Sequence, residues 1–367
     1  MGREEKWVNV AKVMAILAVL TDHTYMVLYD NDLILLGSFF SVSLFMLLSG
    51  YTFVIAAEKK RNFTLWQLTK KNLTKIMIPY VGATFIYFII DTHSFVFDEF
   101  LNRLFHFNMS IPFYYVLLYF QVMLVAPFLY GAAVLGKRKG YIHLITLGLL
   151  FLFSVFANNM TNIMDIYGGG GVLAGGSYLI LFYLGMLLKM YAKQLRKLSS
   201  LIGCVLSGFM LVLWYRFEFT DRFALDQKLR LGNGLNPPGI TGIILACLIA
   251  LTIFYLTDLL EKMQNRVINM GFKLCSVIGR STLYIFLYHR LFMDYWLGRY
   301  CSFSNIWTKR VVYFGIMMLG SLCMRKILLT IRQIVKGMYC QQCGSLENVA
   351  DKVDNISCES VQLDARE

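Results

Sequence analysis

The chain has 367 residues, of which 57% are hydrophobic and 15% aromatic, with a formal net charge of +13 and a mean hydropathy of +0.58. These values lie far outside those of a soluble globular domain and exclude a soluble enzyme. The charge has no basic soluble domain to sit on, so nucleic acid is not an expected partner and anionic lipid is.

Ten windows of about 20 predominantly apolar residues, the length that crosses a hydrocarbon core, run along the chain. They lie near 8–28, 34–56, 76–91, 112–133, 141–157, 175–191, 199–217, 238–257, 277–297 and 308–330. Lipid leaves backbone polar groups no partners but one another, and segments this evenly apolar are not barrel strands. The expected fold is all-α: a polytopic bundle of about ten transmembrane helices within residues 1–335. A polar, acidic tail over 336–367 follows, whose composition predicts disorder.

The first window is interrupted by Lys12 and lacks a small-residue cleavage site after it, so it reads as a retained helix and not a secretory signal. It carries Asp22 and His23 side by side. The second window offers the hydroxyls of Ser38, Ser41, Ser43 and Ser49, and the basic stretch EKKRNFTLWQLTKKNLTK follows it with Lys71 and Lys75. Tyr114 and Tyr115 open the fourth window. GKRKG, KMYAKQLRK, EKMQNRVINMGFK and RKILLTIRQIVK are further basic stretches, after windows four, six, eight and ten. Lys and Arg collect on the cytoplasmic side, which predicts a multi-pass plasma-membrane protein with both termini cytoplasmic.

His93, His106 and His143 fall in loops or at helix ends, where an exposed imidazole is unremarkable. The run YGGGGVLAGG has no strand before it and no Lys-Ser/Thr after it, so it reads as an external loop and not as a phosphate cradle. Cys340 and Cys343, with Cys358 beyond, make half of a zinc pattern without the second pair, so no metal is expected.

Ionisable residues inside a span are costly and mark functional sites by default. The short set here is Lys12, Asp22 and His23 in window one, and His289, Arg290 and Asp294 in window nine. His23 lies about 15 residues along its helix and His289 about 12 along its own, roughly 22 and 18 Å at 1.5 Å per residue. Both imidazoles are expected at similar depth in the outer half, sharing one cavity. Asp22 is expected to pair with Arg290, because Asp294 lies nearer water beside Trp296.

Five motifs in order give the chain a resemblance to the membrane-bound acyltransferase family 3. NVAKVMAILAVLTDH resembles its opening helix, with Lys12 and the signature histidine at His23. FFSVSLFMLLSGY is similar to its second-helix motif, and KKNLTKIMIPY to the basic stretch before helix three. PFYYVLLYFQVMLVAPFL resembles the fourth helix and STLYIFLYHRLF the penultimate one. The chain departs from the common pattern at Asn9 (Asp), Lys12 (Arg), Lys71 and Lys75 (a pair of Arg) and Tyr114 (an indole). A lysine cannot reproduce a bidentate guanidinium grip on phosphate.

The resemblance implies transfer of an acyl group, most often acetyl, from a cytoplasmic acyl-CoA to a hydroxyl of a cell-surface or lipid-linked saccharide. It implies no permanently bound cofactor, with acetyl-CoA or another acyl-CoA as co-substrate. His23 is the expected base, since imidazole titrates near neutrality. His289 is a second base, acyl carrier or oxyanion donor, with Asp22 and Arg290 beside them. Lys12, Lys71 and Lys75 are the expected donor contacts, and Ser41, Tyr114 and Tyr115 the expected acceptor contacts. The rival reading is a flippase for polysaccharide or lipid-linked glycan, although no paired Gly/Pro-broken segments of the transporter kind occur in matching halves.

Overall fold

The computed structural model describes residues 3–59, 64–164, 173–218, 224–229, 231, 237–297, 303, 305–331 and 333–334. The glycine run at 168–171 and the tail with Cys340, Cys343 and Cys358 lie outside the described residues. Within the described residues the chain is helical, with no strand beyond one isolated bridge between Tyr25 and Tyr29.

The first helix, α1 (Arg3–His23), ends earlier than the apolar window, so His23 is its last residue and not an interior one. Thr24 ends it: its hydroxyl donates to the Leu20 carbonyl at 2.8 Å, and Met26 then turns the chain with φ of 62°. A short α2 (Asp32–Leu36) starts at Asn31, whose side chain accepts from Leu33 N at 2.9 Å. α3 (Ser41–Lys59) and α4 (Leu65–Thr92) follow, the latter opened by a reciprocal capping box between Thr64 and Gln67. Amphipathic α5 (Phe97–His106) leads through a tight turn at Ile111–Phe113 into α6 (Tyr114–Arg138). α7 (Tyr141–Met164), α8 (Tyr178–Met190), α9 (Ala192–Leu195), α10 (Ser200–Glu218) and α11 (Ala224–Leu229) come next. α12 (Ile240–Lys262), α13 (Arg266–Gly279), α14 (Thr282–Arg290) and α15 (Ile306–Ile331) complete the chain.

Among the described residues, seven helical stretches are long and apolar enough to cross a membrane. An eighth is the pair Arg266–Gly279 and Thr282–Leu297, bent by 59°. The remaining two windows correspond to α1, which carries Lys6, Lys12 and Asp22, and to α8, which has 13 residues. The chain is therefore an all-α polytopic membrane protein. The stretch EKMQNRVINMGFK, expected as a loop, is helical from Arg266; its basic and apolar residues segregate to opposite faces, which a helix end tolerates and a loop does not require.

α1 packs against α3, α12, α13 and α14, which makes this charged helix central. Trp7 Nε1 donates to Tyr51 Oη at 3.2 Å between α1 and α3, and Lys6 pairs with Glu261 of α12 at 2.9 Å. Among the described residues, α3 and α8 share an extensive contact. A Cβ at Gly50 would collide with the Phe182 carbonyl, and one at Gly185 with the Leu47 carbonyl. Small residues let backbones approach closely where lipid offers no hydrophobic drive to associate. Helices α7, α10 and α15 form the lipid-facing perimeter: 17%, 17% and 11% of their apolar windows are buried, against 56% for Asp32–Lys59.

Candidate active site

Two cavities share Phe286 of α14 in their linings. The larger, about 410 Å³, is lined by Lys12 of α1, Lys75 of α4 and Arg280 at the α13–α14 bend, with the hydroxyls of Ser49, Thr52, Tyr115, Tyr119 and Thr282. No carboxylate lines it among the described residues. Three cations from three elements give this concavity a positive lining suited to an anion, whereas one lysine alone would be an ordinary topology charge. Arg280 also supplies the guanidinium that the lysines lack. The bend places it there: Gly279 comes so close to Asn9 that a Cβ would sit 2.8 Å from its side-chain oxygen, which seats the end of α13 on α1.

The smaller cavity, about 140 Å³, is lined by Asp22, His23, Ser41, Tyr114, Ile111 and Phe286, among others. Its acid and imidazole come from the last turn of α1, its hydroxyls from the starts of α3 and α6. Because α1 stops at His23, the imidazole faces a cavity at the helix end and not a helix interior.

His289 lies behind His23, with ring centroids 5.0 Å apart and 34° between the planes. It is fully buried and outside the lining of either cavity. Its Nδ1 lies 2.8 Å from the Phe286 carbonyl and 3.1 Å from that of Ile285. Carbonyls only accept, so Nδ1 carries a proton and donates. Nε2 is left as an acceptor, buried and without a partner among the described residues. Tyr87 Oη donates to the Leu287 carbonyl at 3.0 Å, and from Leu291 to Leu297 the helix widens to π geometry. Such widening is frequent at functional sites.

Several expectations need correction. Arg290 does not pair with Asp22: its Nε donates to Asp294 Oδ2 at 2.8 Å, one turn along the same helix. The cation is satisfied locally, and Asp22 has no ion-pair partner among the described residues. His289 contacts His23 but does not share its cavity. Tyr115 lines the basic cavity while its neighbour Tyr114 lines the other, as successive helix residues point about 100° apart. Lys71 is exposed and lies outside the basic cavity that Lys12 and Lys75 line. His143, expected as unremarkable, is held between Tyr183 Oη at 2.8 Å and Tyr191 Oη at 3.0 Å. Sequence reasoning missed Arg280, although a basic residue directly before STLYIFLYHR was a signal, and it missed Phe286 as a wall of both cavities.

The family model described as an acyltransferase domain matches residues 5–326. No curated protein and no solved structure matches the chain.

Proposed function

The chain belongs to this acyltransferase family, and from that premise we propose that it moves an acyl group, most often acetyl, from an acyl-CoA to a saccharide hydroxyl at a cell surface or on a lipid carrier. The observation that carries the reading is the pairing of a three-cation cavity with an acid–imidazole cavity, both walled by Phe286.

Lys12, Lys75 and Arg280 would hold the donor's phosphates, Arg280 in bidentate fashion and the lysines as point charges. A pantetheine arm is long enough to carry the thioester toward Phe286. In the smaller cavity Asp22 accepts from one acceptor hydroxyl, Ser41 and Tyr114 position others, and His23 takes the proton of the attacking hydroxyl. The C–O bond forms at the thioester carbonyl carbon as the C–S bond breaks. The imidazolium then returns its proton to the departing thiolate, leaving an ester and free CoA. His289, tied at Nδ1 and packed on the His23 ring, acts as a positioning residue in this scheme. Arg290 and Asp294 neutralise each other and support the turn that carries His289. The basic face is cytoplasmic in this reading and the membrane is the plasma membrane.

The test is purified protein in detergent with acetyl-CoA and candidate saccharides, reading thiol release and the mass of the acceptor. Thiol release that requires acceptor, with an acetyl mass gained by the saccharide, is expected. Glycan movement across vesicles without thiol release would support the flippase instead.

A further inference from the structure

We propose that the Phe286 ring is the partition between donor and acceptor cavities and sets which acyl chains cross; this rests on the function proposed above. Phe286 is the side chain common to both linings among the described residues. It is buried, with its ring 5.0 Å from Tyr115, which lines the basic cavity, and 6.2 Å from His289. The Phe286 carbonyl accepts from His289 Nδ1 at 2.8 Å, so its backbone is fixed to the imidazole that packs on His23. With the backbone fixed, only the two side-chain torsions could re-aim the ring.

Size makes the partition selective. The basic cavity of about 410 Å³ is in the range of ligand pockets. The far cavity of about 140 Å³ is close to one that holds a single benzene, about 150 Å³. Once the hydroxylated edge of the acceptor is seated there, room remains for a short acyl group only, and a longer chain needs the space that the ring fills. The same ring keeps water in the basic cavity from His23. Without it, water replaces the hydroxyl as nucleophile: its oxygen bonds the carbonyl carbon, the C–S bond breaks, and a carboxylic acid and free thiol leave.

The experiment compares wild type, Phe286→Ala and Phe286→Trp with acetyl-, butyryl- and octanoyl-CoA. The ratio of kcat/KM for butyryl over acetyl should rise about 10-fold in Phe286→Ala and fall in Phe286→Trp, the scale of a methylene or two in an apolar pocket. Thiol release without acceptor should rise in Phe286→Ala alone. The rise in Tm that CoA induces serves as the folding control. Variants that keep this rise and keep the wild-type ratio overturn the partition; where Phe286→Ala loses it, Phe286→Trp decides by the same criterion. A wild type that transfers from no acyl-CoA contradicts the proposed function instead. The partition is then decided by labelling Val42→Cys in a cysteine-free chain, from the basic side, with an impermeant maleimide. Labelling only when Phe286 is Ala supports the partition, and equal labelling with Phe286 present overturns it.

Discussion

His23 ends its helix, and that placement decides what the residues around it can do. An imidazole at a helix end lines a cavity that one buried three turns inside a packed helix could not reach. Substituting His23→Ala should lower acyl transfer by roughly 10³-fold, the scale of a lost general base, while CoA still raises Tm. Turnover near wild type in an assay of ester formation would remove His23 as the base. Asp22→Asn should raise the acceptor KM by roughly 10-fold, one charge-assisted hydrogen bond, with the donor KM unchanged; equal donor and acceptor effects would contradict its placement. Which ionisable residues stand together was legible at this scale, because few of them lie inside the spans of this chain. Their partners were not. Depth along a helix can be read by counting residues, but rotation about its axis cannot be read across two helices, and so Asp22 was matched to Arg290 when Asp294 stood one turn away.

At the scale of elements, the basic cavity is assembled from α1, α4 and the α13–α14 bend, which is why only part of it could be read. Lys12 and Lys75 each sit in a recognisable motif, but Arg280 joins them through the 59° bend between α13 and α14, and no local pattern announces a bend with neither glycine-proline pair nor charge run. Lys75→Gln or Arg280→Gln should weaken CoA binding about 10-fold each, while Lys71→Gln should leave it nearly unchanged. Calorimetric titration of the purified variants checks this, and equal weakening by all three would return the lysines to topology alone. The α3–α8 contact is a second element-scale feature. Gly50 faces the α8 backbone at Phe182 and Gly185 the α3 backbone at Leu47, an approach invisible until the helices are adjacent. Gly50→Ala or Gly185→Ala should cost about 2 kcal/mol or more, the scale of overpacking against atoms that cannot yield, read as a lower Tm in detergent; an unchanged Tm would show that the helices separate without penalty.

For the whole molecule, hydropathy and the order of motifs were enough to read an all-α membrane acyltransferase, because lipid admits few architectures and the motifs span most of the chain. Hydropathy placed α1 among the spans although it carries six charged residues, and the structure shows how it tolerates them: it packs against α3, α12, α13 and α14, and Lys6 pairs with Glu261. Centrally, the basic cavity is proposed to receive the donor from one face while His23 deprotonates the hydroxyl of an acceptor reached from the other. The most direct test is reconstitution in sealed vesicles, with saccharide acceptor trapped inside and radiolabelled acetyl-CoA added outside. Where α4, α6 and α13 present their basic ends outward, the trapped saccharide should gain labelled ester, and vesicles bearing His23→Ala should gain none above background. Label that appears equally with His23→Ala, or only when donor and acceptor share one side, would contradict it.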